Sequence, residues 1–247
     1  MFGLRLAHAG LTWLACCVSV AAPGEIQTDS AALYLDFAQA QPDRRLVLGA
    51  QHERTETNGW LAFKTALQFA ELSFGHRLDG IQAMSVGGWF FFQRTGEQAF
   101  LCRGLPEAAP GGERTFRPAS SWVNFFLGTD QHGLLMGCIN GNSLMPFPLV
   151  TLSEVSIDQW HQLVLVKDVR GGQRFYHNGT LVHADVDSAW AGKVWPFRDT
   201  AEGEPLRLAM PLGGRIGEGW IFTRELTLDE VRRDFDAGTA LGAEPLD

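Results

Sequence analysis

"WHQLVLVKDVRGGQRFYHNGTLV", residues 160–182, reads as three strands in succession, and its reading decides the fold. From Leu163 to Val166 the chain runs Leu-Val-Leu-Val, bounded by turn residues at Asp168 and Gly171-Gly172. A short, continuous apolar run rich in β-branched residues suits a strand covered on both faces. Asn178-Gly179 follows in "RFYHNGTLV". That pair suits a two-residue type I′ turn, in which both central residues need positive φ. Such a turn predicts the hairpin register: His177 opposite Thr180, Tyr176 opposite Leu181, Phe175 opposite Val182 and Arg174 opposite His183. His177 and His183 are then not cross-strand partners, which disfavours a two-histidine metal site across this hairpin.

Outward from the meander, the short-strand pattern continues. "ALYLDFA" (32–38), "ALQF" (66–69), "AMSVGGWFFFQ" (83–93) and "QAFLCRG" (98–104) are strand candidates. So are the hairpin "WVNFFLGTDQHGLLMGCING" (122–141), turning at 130–133, and the segments "PLRLAM" (205–210) and "GRIGEGWIFTR" (214–224). Residues 39–58 read as a long polar connection with one apolar patch at 46–48, and residues 105–121 as a loop rich in Pro, Gly and Glu. Residues 187–205 are irregular and hold Trp190, Trp195 and Phe197. One helix is predicted, over 228–236. Thr227 is its N-cap, Glu230 three residues on completes a capping box, Leu228, Val231 and Phe235 fall at helical spacing, and Gly238 is a stop. Many short strands plus one terminal helix predict an all-β fold: a two-sheet antiparallel jelly-roll sandwich with one short C-terminal helix.

A chain of 247 residues with 45% hydrophobic residues has enough apolar surface for one large sandwich domain. Its formal net charge of -8, with no basic cluster, argues against a nucleic-acid partner. The first residues, "MFGLRLAHAGLTWLACCVSVAAPGE", carry one early cation at Arg5, an apolar stretch over 11–20, and small residues Ser19 and Ala21 in an A-x-A-like position. This predicts a secretory signal at 1–21 cleaved after Ala21, a domain at 22–247, and a secreted or extracytoplasmic protein. The apolar run is shorter than the ~20 residues of a membrane span, and no later segment qualifies. "WLAC" leaves a lipoprotein alternative open at Cys16, although Trp13 stands where such a signal usually has a leucine. The mature chain keeps Cys102 and Cys138. Export favours a disulfide. Topology weighs against it, because a strand is expected between them and next-but-one strands lie ~9–10 Å apart.

Three stretches, in order, resemble one family. "ALQF…AMSVGGWFF" is similar to the early strand pair of laminin-G-like, concanavalin-A-type domains. The opening stretch resembles that family's tryptophan-histidine strand and its aromatic-x-Asn-Gly hairpin. "GRIGEGWIFTRELTLDEVRRDFDAG" resembles its closing strand, Arg-x-Leu turn and Ser/Thr-x-x-Glu helix. Together they cover most of residues 32–238 and imply a jelly roll in which the Trp160 meander is mostly scaffold. Many relatives carry Ile-Asp-Glu in the closing strand near a calcium site. Here the match is Ile216-Gly217-Glu218, and the family's Asp-Gly-x-x-Asp-Tyr pattern is replaced by "FAELSFGHRLDG". Calcium takes about six or more oxygen ligands. Only Glu218 and Asp36 can be nominated, so no cofactor is required and the motif residues do not support calcium.

The same sandwich hosts polysaccharide-cleaving enzymes, whose retaining members need two carboxyls ~5 Å apart. The Glu-x-Asp-x-x-Glu run of such relatives is absent, the mature chain has only Tyr34 and Tyr176 to serve lyase chemistry, and no Gly-x-Ser-x-Gly, His-Glu-x-x-His or Walker loop occurs. The expectation is a non-enzyme: a secreted binding module for a glycan or an extracellular protein partner. An unrecognised hydrolase or lyase and a purely structural domain are the alternatives. Trp190 and Trp195, in "SAWAGKVWPFRDT", are the nominated ligand-binding residues, since indoles stack on apolar sugar faces. The competing reading of these rings is an edge of the core. Asn178-Gly179-Thr180 also matches a glycosylation sequon, but the turn already accounts for Asn-Gly.

Overall fold

The computed structural model describes residues 31–37, 46–48, 51–54, 59–63, 70–72, 78–104, 123–139, 149–185, 206–210 and 213–238. In chain order their elements are β1 (Ala31–Asp36), β2 (Leu46–Leu48), β3 (Gln51–Arg54), β4 (Gly59–Phe63), β5 (Ala70–Leu72), β6 (Met84–Phe92), β7 (Gln98–Gly104) and β8 (Val123–Thr129). There follow β9 (Leu134–Ile139), β10 (Leu149–Glu154), β11 (Trp160–Lys167), β12 (Gln173–His177), β13 (Thr180–Asp185), β14 (Leu206–Met210), β15 (Gly214–Phe222) and α1 (Leu228–Gly238). One sheet runs β13-β12-β11-β6-β15-β4-β3, with β1 also paired to β15. The other runs β10-β9-β8-β7-β14-β5-β2. The result is the expected all-β, two-sheet antiparallel sandwich with one short C-terminal helix.

Side-chain alternation explains the layers. Leu163 and Leu165 join Phe90, Phe92, Phe175 and Ile216 in the core between the sheets, facing Phe100, Phe125, Leu127 and Ile139. Phe100 closes that core with ring contacts at 5.1 Å to Phe90 and 4.7 Å to Phe92. Val164 and Val166 point the other way, into a second cluster with Tyr176, Trp220, Phe222 and Val231. All four residues of the Leu-Val-Leu-Val run are fully buried, as a strand covered on both faces requires. Each such side chain contributes roughly 1.5–3 kcal/mol by burial. The two glycines of "VGGWFFF" admit close neighbours. A Cβ on Gly87 would stand 2.6 Å from the Trp220 ring, and one on Gly88 2.2 Å from the Glu218 carbonyl oxygen.

The covering element on the outer face is α1. Its capping box forms as expected: Thr227 Oγ1 accepts from the Glu230 amide at 3.2 Å, and Glu230 Oε2 accepts from the Thr227 amide at 2.8 Å. The helix runs to Gly238, two residues past the expected end at 236. Gln162 ties it down from β11. Its Nε2 donates to the Val231 carbonyl (3.0 Å) and to Asp234 Oδ2 (2.7 Å), while its Oε1 accepts from the Gly179 amide (3.1 Å). The Asn178-Gly179 turn therefore supports the helix as well as the hairpin. Asn178 itself is engaged, its Oδ1 accepting from the Gln162 amide at 2.9 Å.

Several sequence expectations need correction. Asn178 (φ 49°) and Gly179 (φ 70°) form the expected turn, and His177 pairs with Thr180 and Tyr176 with Leu181. Beyond that a bulge intervenes: Phe175 stands opposite His183 and Arg174 opposite Ala184. Val182 is the extra residue, and it packs against the inter-sheet core, which accounts for the shift. The polar connection at 39–58 contains two edge strands, β2 on β5 and β3 on β4. Such short strands are held by backbone pairing, so "QHER" needs no apolar alternation. β10, after the Pro146 and Pro148 stretch, was not anticipated at all. The candidate strand at 66–69 and the signal at 1–21 lie outside the described residues, between or before elements that are seen. Cys102 and Cys138 are both buried, and no disulfide joins them. They sit on β7 and β9 with β8 between them, each opposite Phe126, and the intervening strand is the obstacle to a bridge.

Candidate functional site

The nominated Trp190 and Trp195 lie outside the described residues. Within the described residues the aromatic side chains converge elsewhere, on the outer face of the eight-stranded sheet. The register places Trp160 of β11 opposite Phe91 of β6, Phe91 opposite Arg215 of β15, and Arg215 opposite Ala62 of β4. Trp60 stands two residues from Ala62 and so shares its face. One rung across four strands thus carries Trp160, Phe91 and Arg215, with Trp60 at its end.

The rings close over this rung. Trp60 and Trp160 meet edge to face with centroids 6.4 Å apart, and Phe91 meets Trp160 at 5.6 Å in the same manner. The Arg215 guanidinium lies 5.0 Å from the Trp60 ring centre and 5.2 Å from that of Phe91. Phe91 is buried beneath, while Trp60, Trp160 and Arg215 are half-buried and reach solvent. Edge-to-face pairs and stacked cations each add ~0.5–1.5 kcal/mol beyond area burial, so the group is held rigid. The glycine of Ile216-Gly217-Glu218 now has a reason. Gly217 is the bulge residue of β15 against β6, and a Cβ there would lie 3.2 Å from the Trp160 ring. The position where the resembling family carries an aspartate is the one on which an indole rests.

The two residues nominated for calcium are cross-strand partners, Asp36 of β1 opposite Glu218 of β15. Among the described residues no group of three or more His, Cys, Asp and Glu side chains has the geometry to hold a metal ion. His177 bonds not with His183 but with His161 of the neighbouring strand, their facing nitrogens 2.8 Å apart. Among the described residues no helix is long and apolar enough to cross a membrane.

Sequence reasoning assigned Trp160 to the scaffold and did not single out Trp60, Phe91 or Arg215. The usable signal was parity. Trp160 and Phe91 each lie one residue from a core-facing position, at His161 and at Phe90 and Phe92, but only the register shows that they share a rung.

No protein-family model matches the chain, and no curated protein sequence matches it. Solved structures do match. The receptor-binding domain of botulinum neurotoxin type G is 11% identical with a TM-score of 0.57, covering 84% of this chain and 51% of its own. The binding domain of Paraclostridial Mosquitocidal Protein 1 is 10% identical with a TM-score of 0.60, covering 85% and 52%. The botulinum neurotoxin serotype D ligand-binding domain, solved in complex with N-acetylneuraminic acid, is 12% identical with a TM-score of 0.58, covering 85% and 51%. The chain thus spans about half the length of these structures, and at such identities the likeness is one of fold: a β-sandwich.

Proposed function

We propose that the chain is a secreted, non-catalytic binding module of laminin-G-like, concanavalin-A-type build, and that it holds a glycan on the Trp60–Phe91–Trp160–Arg215 face. The observation that carries this reading is the pair of half-buried indoles braced around a guanidinium on a rigid sheet. A pyranose presents apolar C–H faces that stack on indoles, and an arginine fixed in plane donates to ring hydroxyls or a sugar carboxylate. Three solved structures of similar fold carry names that describe binding domains, one with a bound sialic acid. That is support by analogy of fold, which weighs less than the chemistry of the face. The export signal read at 1–21 would place such a module outside the cytoplasm, where glycans and extracellular proteins are its available partners. Trp190 and Trp195 remain proposed as a further aromatic contribution to binding.

The test is a glycan-array screen followed by titration of the best ligand against the wild type and Trp60→Ala, Trp160→Ala, Trp190→Ala and Trp195→Ala. Loss of a stacking platform weakens binding about tenfold or more, since each 1.4 kcal/mol is a factor of ten. Undiminished affinity in both Trp60→Ala and Trp160→Ala would remove the proposed face from consideration. Release of shortened sugar products by the wild type would replace the binding module with an enzyme.

A further inference from the structure

β10 and β13 are the edge strands on one side of the sandwich, one from each sheet, and they lie beside each other. The ladder that ties β10 to its own sheet is interrupted. Leu149 and Val150 pair with Gly137 and Met136, and the next rung is Glu154 with Leu134. In the gap, Thr151 Oγ1 accepts from the Ser153 amide at 3.0 Å, a local turn in place of sheet pairing.

From that gap a polar relay crosses to the other sheet. Ser153 Oγ lies 2.8 Å from His177 Nδ1 on β12. His177 Nε2 lies 2.8 Å from His161 Nδ1 on β11. His161 Nε2 lies 2.9 Å from the Ser156 carbonyl oxygen, back on the segment after β10. Both ends of the relay are thus anchored on the same edge segment. Its proton positions follow from the last bond. A carbonyl only accepts, so His161 Nε2 carries the hydrogen. In the neutral ring His161 Nδ1 then accepts, His177 Nε2 donates to it, and His177 Nδ1 accepts from the Ser153 hydroxyl. Every imidazole nitrogen is used with both rings neutral. A second proton on His161 would point at the His177 N–H, and one on His177 would turn the Ser153 hydroxyl round and place a charge on a half-buried ring.

Among the described residues no counter-charge answers that proton. The imidazoles have each other, Ser153 and Ser156 as hydrogen-bond partners, and Phe92 of β6 packs on His161 at 5.4 Å. Glu154 of β10, Asp158 of the following turn and Arg94 after β6 are exposed. On β13, His183 stands opposite Phe175 and Asp185 opposite Gln173. The Asp130 carboxylate of the β8–β9 turn accepts from its own turn's amides, those of His132 and Leu134, and Asp234 of α1 accepts from Gln162.

We propose that this relay is an acid-sensitive seam: protonation of the His161–His177 pair releases the β10 edge from the eight-stranded sheet while the rest of the sandwich stays closed. Burial holds both imidazoles below their ordinary range, His177 down to about 4 with the neighbouring His161 adding to the effect. Once the edge opens, the rings regain a value near ~6.5 and take up protons. Opening is therefore favoured as pH falls from ~6.5 toward 4, and the closed edge is fully stable above that window.

The experiment is amide hydrogen exchange of the full chain at pH 8 and pH 5, corrected for intrinsic rates, together with NMR titration of the imidazole rings. Opening at residues 151–156 should rise about thirtyfold or more at pH 5, with β6 and β8 unchanged and both rings titrating below the ordinary imidazole range. The His161→Gln/His177→Gln double variant, which keeps polar side chains but cannot charge, should lose that pH dependence. Rings that titrate near the free value, equal protection of 151–156 at both pH values, or uniform loosening of both sheets would each overturn the proposal. The wild-type titration and exchange decide it even where the double variant does not fold.

Discussion

The outer face of the eight-stranded sheet carries aromatic side chains from β12 to β4, yet its two halves differ. On one half, Trp220, Phe222, Val164 and Val166 lie under α1 and are buried. At the border Phe235 of α1 stacks on Trp89, centroids 5.8 Å apart and planes within 10°. On the other half no helix intervenes among the described residues, and Trp60, Trp160 and Arg215 cover Phe91 themselves. The same residue types make a core where an eleven-residue helix covers them and a solvent-facing platform where it does not. Aromatic content alone therefore says nothing about burial, and the limit of the covering helix decides it.

The largest expected effect lies on the covered half. Trp220→Ala removes a fully buried indole packed against Gly87 and ringed by Phe222 at 5.4 Å. The expected loss is ~3–5 kcal/mol in denaturant unfolding. A loss below ~1 kcal/mol would mean that the two halves do not differ as described.

The border gives a second, smaller effect. Gly238 reads in the sequence as a helix stop, but a Cβ there would lie 2.3 Å from the Trp89 ring. Gly238→Ala should cost ~1–3 kcal/mol through overpacking, even though alanine is the better helix former. Gain of stability would show that the Trp89 ring yields and helix propensity decides.

How far the sequence reached follows from the same geometry. The covered-strand reading of 163–166, the Asn-Gly turn and the capping box were legible because each depends on residues close in the chain. The bulge at Val182 was not, because it answers to packing against a core built from distant strands. β2, β3 and β10 were missed because edge strands are held by backbone bonds that leave little mark on side-chain pattern. The aromatic rung was invisible for a related reason: Trp60, Phe91, Trp160 and Arg215 are spread over four strands and meet only through register.

On the open half, Trp160→Ala should cost ~1–2 kcal/mol of stability, well short of Trp220→Ala, because the ring is only half-buried. If the glycan reading holds, the same variant loses binding about tenfold or more, and a melt paired with a titration separates the two losses. A cost as large as that of Trp220→Ala would make the open half a second core.

The smallest effect tests whether the halves are independent. Thr227→Ala removes the hydroxyl that accepts from the Glu230 amide and leaves Glu230 without one of its partners. The expected cost is ~1 kcal/mol. Burial tends to raise the Glu230 carboxyl, but the bonds from Arg224 and Thr227 outweigh it and hold the group below its ordinary value. A depressed carboxyl stabilises above its unfolded pKa and loses that contribution as pH falls through the folded one, so the variant and the wild type should converge in acid. Because the cap touches α1 and not the rung of Trp60, Phe91, Trp160 and Arg215, affinity for any ligand of the open half should be unchanged. A Thr227→Ala variant that loses affinity along with its helix would show that α1 shapes the platform it leaves uncovered, and the two halves would have to be treated as one cooperative surface.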